Sequence, residues 1–164
     1  MIDKTIGDEV MFVLPEVEED PHDTAILNLG QLMGGLHDLA FNLKGGYRFR
    51  ISLSYGKVCF FCVEGSGYSE WTAASEPVHV AKRLQDLPDL ANPDPVVGAF
   101  GVQPTGEPVH ELLTMMRQRL SIFAGFASRF DNRLEDTPRS LKGVGDVFCA
   151  VLVPRPERVQ KSDT

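Results

Sequence analysis

Residues 4–15 have the sequence Lys4-Thr-Ile-Gly-Asp-Glu-Val-Met-Phe-Val-Leu-Pro15, in which a Gly-Asp pair separates two apolar runs. Residues 2–6 and 9–14 are rich in β-branched and aromatic side chains, which predicts two strands joined by a tight Gly7-Asp8 turn. Gly7 tolerates a positive φ, and Asp8 offers a hard oxygen ligand of the kind that Mg²⁺ or Mn²⁺ prefers. The stretch predicts a hairpin with a candidate metal ligand at its tip, or simply an ordinary Gly-Asp hairpin.

The composition predicts one soluble globular domain. The chain has 164 residues, of which 43% are apolar and 24% charged, enough to bury a sizeable core. Sixteen Lys and Arg against 23 Asp and Glu give a net charge of −7, which argues against non-specific binding to nucleic acid or anionic membranes. No apolar run reaches the length of a membrane span, and no signal-peptide pattern precedes the hairpin. We therefore expect a cytoplasmic protein.

The order of the predicted elements indicates an α+β domain with helices packed on one face of a sheet. Periodicity and chain breakers predict the elements after the hairpin. The first is a helix with its N-cap at Asp23 or Thr24, an apolar stripe from Leu29 to Leu43 and its end at Gly45-Gly46. The others, in chain order, are a long strand or pair of strands over 47–63 with a bend at Gly56, a short helix over 76–87, a buried strand over 96–102, one long helix or two over 107–130, a loop over 131–140, a hairpin over 141–153 and a polar, frayed tail over 154–164.

The cysteine count is odd, and the spacing fits neither a disulfide framework nor a zinc site. Cys59 and Cys62 form a C-x-x-C within residues 57–63, which also have the composition of a strand. A separation of three residues on a strand places two side chains on opposite faces. We expect buried, inert thiols rather than a redox pair.

Five more residues could take part in chemistry with Asp8. Lys4 lies on the same side of its strand as Asp8, and Thr72 precedes the short helix. His79 and Arg83 are four residues apart and share a helix face, while Lys142 lies at a glycine turn. Taken one by one, each has an ordinary structural explanation. Together, a carboxylate, two lysines and an arginine suit a nucleoside triphosphate.

Three segments of the chain resemble the catalytic domain of class III nucleotidyl cyclases, the family of adenylate and guanylate cyclases. Residues 2–15 resemble the metal-binding hairpin of the family. Residues 71–84, with Val-His-Val-Ala-Lys-Arg-Leu84, resemble the base-selecting residue and the helix Val-Asn-x-Ala-x-Arg-Leu that follows it. Leu141-Lys-Gly-Val144 resembles the closing Lys-Gly element, which alone is a weak motif.

The resemblance implies a ferredoxin-like α+β domain over residues 1–153, with a mainly antiparallel sheet and active sites at a head-to-tail dimer interface. It implies that Asp8 binds Mg²⁺ or Mn²⁺ and that Lys4 reads the purine ring with Thr72, a pair typical of adenine selection. Arg83 would stabilise the transition state, and Lys142 would hold the terminal phosphates. The reaction implied converts ATP to cyclic AMP and pyrophosphate.

Two departures from the family pattern keep other functions open. The family has a second metal-binding Asp on a strand before the hairpin, and this sequence begins after that point, so we expect an N-terminally truncated domain. His79 stands where the family has Asn, and an imidazole cannot reproduce the geometry of the amide. One alternative is a catalytically incomplete module that binds nucleotide or pairs with another cyclase-homology chain. Another, from Ile6-Gly-Asp-Glu-Val10 alone, is a diguanylate cyclase.

Overall fold

The protein was analysed as a computed structural model, which describes residues 2–6, 9–14, 24–43, 46–91, 94–104 and 106–155. These residues form nine strands, three α-helices and a short 3₁₀ turn. In chain order they are β1 Ile2–Ile6, β2 Glu9–Phe12, α1 Thr24–Asn42, β3 Phe49–Ser54, β4 Cys59–Gly65, β5 Tyr68–Ala74, α2 Glu76–Leu84, the 3₁₀ turn Pro88–Ala91, β6 Val96–Val102, α3 Val109–Phe126, β7 Phe130–Leu134, β8 Arg139–Leu141 and β9 Gly145–Pro154.

The main sheet has the strand order β3-β6-β9-β7, with β8 paired to β9. β3 runs parallel to β6, whereas β6, β7 and β8 all run antiparallel to β9. The α+β class predicted from the sequence is therefore confirmed, and the sheet is mixed.

Helices cover both faces of this sheet, so the prediction that they pack on one face was wrong. Every residue of β6 is buried, and its side chains alternate between two separate cores. Val96 and Phe100 join the core beneath α1 and α3, whereas Val97 and Ala99 join the core beneath α2 and the 3₁₀ turn. A strand that is apolar on both faces needs a covering layer on each side.

The predicted N-terminal hairpin is confirmed, because β1 and β2 pair antiparallel with Ile6 opposite Glu9. Gly7 and Asp8, which would form its turn, lie outside the described residues.

The pair of strands predicted over 47–63 is also present, but its members belong to different sheets. β4 pairs with β5 in a separate two-stranded hairpin, and β5 was not predicted. All residues of β4 are exposed. Cys59 and Cys62 are therefore exposed rather than buried, contrary to expectation, although their spacing on a strand still places them on opposite faces.

β7 occupies part of the segment predicted to be a loop, and that prediction was wrong. The strand Phe130–Leu134 pairs antiparallel with β9, and Phe130 is fully buried. Between its apolar ends the strand carries Asp131, Asn132 and Arg133, which hide the strand pattern from sequence analysis. Backbone hydrogen bonds to β9 do not depend on those side chains.

Gly101 in β6 makes room for α2. A Cβ at this position would lie 2.8 Å from Cδ1 of Leu84 and 3.1 Å from Cγ1 of Val147. Leu84 and Val147 are fully buried, so they have little space into which to move. The close approach of α2 to the sheet thus depends on a glycine at position 101.

We predict that Gly101→Ala lowers the free energy of unfolding by about 1–3 kcal/mol, because the added methyl group overpacks the core. Gly35→Ala is the matched control: a Cβ there meets nothing within 4 Å, and alanine in a helix should raise stability by about 0.5–1 kcal/mol. Urea unfolding measures both changes. An unchanged midpoint for Gly101→Ala would contradict the close packing.

Candidate functional site

β1, which contains Lys4, lies against β5 in the neighbouring hairpin. The backbone of Lys4 is placed opposite Met11 of β2. Thr72 in β5 is half-buried and lies opposite Phe61 of β4. The two residues predicted to select the base are therefore on strands of two separate hairpins that contact each other.

α2 follows β5 after Ser75, whose extended backbone ends the strand and provides the N-cap position. Pro77 lies in the first turn of the helix, where a missing N–H costs nothing. The loop after β3 packs against the same turn, since a Cβ on Gly56 would lie 2.6 Å from Cγ of Pro77. Val80 and Leu84 are buried and fix the inner face of the helix.

His79 and Arg83 lie one turn apart on α2, away from the buried stripe. His79 is exposed. The side chain of Arg83 is 42% exposed, and its Nη1 lies 3.2 Å from Oδ2 of Asp86. An exposed pair of this kind is worth about 0–1 kcal/mol, so a phosphate group could compete with Asp86 for the guanidinium.

Lys142 is exposed in the turn between β8 and β9. Gly143 and Gly145 on either side of Val144 have φ values of +75° and +100°, a region in which glycine carries no steric penalty. The amide of Val144 donates to the carbonyl of Leu141 at 3.1 Å, which closes the turn.

α2 contacts both β5 and β8, so it links the strand of Thr72 to the hairpin of Lys142. Leu84 of α2 shares a core with Leu141 and Val147 of that hairpin. The structure thus places four elements in a row in space, each in contact with the next: β1, β5, α2 and the β8–β9 hairpin. It fixes which elements are neighbours, whereas the functions of the residues on them remain predictions.

Sequence analysis missed Gln103, which lies directly after β6. Its Nε2 donates a hydrogen bond of 2.9 Å to the carbonyl of Val144 in the Lys142 turn. A single polar residue at the end of the apolar run Val96–Val102 was the available signal. Its partner lies 41 residues away, so the contact could not be inferred from local spacing.

A cluster of charged side chains surrounds Arg139 of β8. Its Nε donates to Oε2 of Glu135 at 2.6 Å, and its Nη2 donates to the same carboxylate. Its Nη1 donates to the carboxylate of Asp89, the second residue of the 3₁₀ turn. The hydrogen bonds from Arg139 lower the pKa of both carboxyl groups below their ordinary values. This guanidinium is occupied by two carboxylates, which indicates a structural function.

Cys149, on β9, also has a shifted pKa. Burial raises the pKa of its thiol to about 11, so the thiol stays protonated near neutral pH. It belongs to the core beneath α2, and its sulfur is not a reactive nucleophile.

Within the described ranges, no group of three or more His, Cys, Asp and Glu residues could hold a metal ion. Asp8, the predicted metal ligand, lies outside those ranges. No helix in the described part of the chain is both long enough and apolar enough to cross a membrane.

No family model, curated protein or solved structure matches this chain. The functional interpretation therefore depends on the sequence motifs and on the placement of their residues.

We predict that Arg139→Gln lowers the free energy of unfolding by about 1 kcal/mol at pH 7. Because the folded-state pKa values of Asp89 and Glu135 are lowered, their contribution is present above the unfolded-state value of about 4 and is lost as the pH falls through the folded-state values. The difference from the unmodified protein should shrink below about pH 4.

Urea unfolding between pH 3 and pH 7 tests this expectation. Arg129→Gln is the control, because Arg129 also pairs with a carboxylate, that of Asp38, but its side chain is 61% exposed whereas that of Arg139 is 27% exposed. The control should change stability by less than about 0.5 kcal/mol. A pH-independent effect of Arg139→Gln would show that the carboxylates are not responsible.

Proposed function

We propose that this chain is an adenylate cyclase-type nucleotidyl cyclase domain that converts ATP to cyclic AMP and pyrophosphate at a dimer interface. The observation that carries the proposal is the position of α2. The helix displays His79 and Arg83, and it contacts both the strand of Thr72 and the hairpin of Lys142. The segment 71–84 thus contacts the first segment of the resemblance through β1 and the third through β8.

In the proposed reaction the ribose 3′-oxygen of ATP forms a bond to the α-phosphorus and its proton passes to solvent water. The bond from that phosphorus to the bridging oxygen breaks, and pyrophosphate leaves. Negative charge accumulates on the oxygens of the α-phosphate and on the oxygen that leaves with pyrophosphate. Arg83 stabilises this charge with its planar guanidinium, and Lys142 holds the terminal phosphates as a point charge. His79 supplies a hydrogen-bond donor beside Arg83.

Lys4 and Thr72 form the base-selecting pair in this proposal, supported by the contact between β1 and β5. The cofactor is Mg²⁺ or Mn²⁺, with Asp8 as a protein ligand. Asp8 would hold this ion together with ATP, and the ion would supply polarisation of the attacking hydroxyl and charge neutralisation at the phosphates.

The dimer in this proposal is supported by exposed apolar side chains on elements near the candidate site. Phe12 of β2 is 49% exposed, and Phe61 and Tyr68 of the β4–β5 hairpin are 52% and 60% exposed. Large exposed apolar surfaces commonly mark association sites. The proposed partner is a second copy of this chain or another cyclase-homology chain.

We predict that the protein forms cyclic AMP from ATP with Mn²⁺, and that Arg83→Ala lowers kcat by about 100- to 1,000-fold, the cost of losing one charge-stabilising donor. Arg117→Ala is the control, because Arg117 is an exposed arginine of α3 that pairs with Asp136. Its kcat should stay within about twofold of the unmodified value. Equal activity of the Arg83 and Arg117 variants would contradict the proposed site.

A second candidate function is a catalytically incomplete cyclase-homology module, favoured by His79 in place of Asn and by the exposed apolar residues. This module would bind ATP and dimerise without producing cyclic AMP. Calorimetry with ATP and light scattering test it: binding and a dimer without product support the module, whereas a monomer that ignores ATP rejects it. Product analysis with GTP covers the diguanylate cyclase alternative, for which a cyclic dinucleotide is the expected product.

A further inference from the structure

The side chain of Gln103 joins the end of β6 to the turn that carries Lys142. β6 is buried along its whole length, so its end is a fixed point in the centre of the sheet. Gln103 is half-buried, and its Nε2 lies 2.9 Å from the carbonyl oxygen of Val144. This hydrogen bond connects the rigid interior of the protein to an exposed glycine turn.

The turn needs such support because Gly143 within it and Gly145 directly after it have positive φ. Glycine allows this conformation but does not enforce it, since it has the widest conformational freedom of any residue. The hydrogen bond from the Val144 amide to Leu141 closes the turn from within. The bond from Gln103 holds the same residue, Val144, from outside the hairpin.

The oxygen of the Gln103 side-chain amide shows that a polar residue at this position costs free energy of folding. Oε1 is buried and lacks a hydrogen-bond partner among the described residues. An apolar side chain of similar volume would avoid this unpaired acceptor. The amide is therefore suited to this place through its donor, which pairs with the Val144 carbonyl.

The position of the turn sets the range that the Lys142 ammonium can reach. Lys142 is two residues before Val144, and its long, flexible side chain extends from the exposed part of the turn. A lysine attached to a fixed backbone loses less entropy on binding an anion than one attached to a mobile turn.

We propose that Gln103 is a positioning residue for Lys142, which it holds in place to bind the terminal phosphates of a polyphosphate ligand. The choice of polyphosphate rests on the proposed function, whereas the anchoring of the turn rests on the geometry of Gln103 and Val144 alone.

The experiment compares Gln103→Met, which removes the donor and keeps much of the volume, with Gln118→Met. Gln118 is an exposed residue of α3, so it is a matched control. Hydrogen exchange of the Val144 amide, followed by NMR, reports on the turn. We expect faster exchange in Gln103→Met and no change in Gln118→Met; unchanged exchange in Gln103→Met would overturn the anchoring.

Calorimetry with inorganic pyrophosphate in Mg²⁺ buffer then tests the positioning of Lys142. We expect Gln103→Met to raise Kd about threefold to tenfold, as for the loss of one hydrogen bond. In a Lys142→Met background, the same change should have no further effect, because its influence acts through Lys142. Equal effects in both backgrounds would indicate general loosening and overturn the positioning function.

The outcomes also separate this inference from the proposed function. Pyrophosphate binding that depends on Gln103 and Lys142, without formation of cyclic AMP, would reject the cyclase reaction and support the positioning of Lys142. Failure of the unmodified protein to bind pyrophosphate would overturn the positioning proposal, whatever the exchange of Val144 shows.

Discussion

The burial of β6 and β9 on both faces is the constraint on which the rest of the structure depends. Val96 and Val97, neighbours in sequence, belong to different cores. One layer of helices cannot cover such strands, so α2 must pack opposite α1 and α3. Its approach is limited by the space above Gly101, where Leu84 lies. The outward direction of His79 and Arg83 follows from the inward direction of Val80 and Leu84.

Elements with a strong local pattern could be predicted from the sequence, and elements defined by their partners could not. The strand over 96–102 was predicted with the bounds of the structure because its apolar run is continuous. β5 and β7 were missed because polar residues interrupt their patterns, and each owes its conformation to backbone pairing with a neighbour. The exposure of β4 was missed for a related reason, since its apolar residues suggested burial.

The candidate site likewise combines residues that a local motif could identify with one that depends on a distant partner. The motifs identified Thr72, His79, Arg83 and Lys142, and the fold places their elements side by side. Gln103 has no motif, because its importance arises from a hydrogen bond to a residue distant in sequence. Residue type alone does not predict the function of an arginine: Arg139 is held by two carboxylates, whereas Arg83 pairs with the exposed Asp86 at 3.2 Å. The second arrangement leaves a guanidinium more accessible to an incoming anion.

The distribution of the three cysteines gives the protein a built-in set of labelling positions. Cys59 and Cys62 are exposed on opposite faces of the β4–β5 hairpin, whereas Cys149 is buried and its thiol has a pKa raised to about 11. A thiol-reactive fluorophore at neutral pH should therefore react with the hairpin and spare the core. With one of the two exposed cysteines replaced by serine, the label would occupy a single face. Its emission would then report which side of the hairpin becomes shielded from water when a partner arrives.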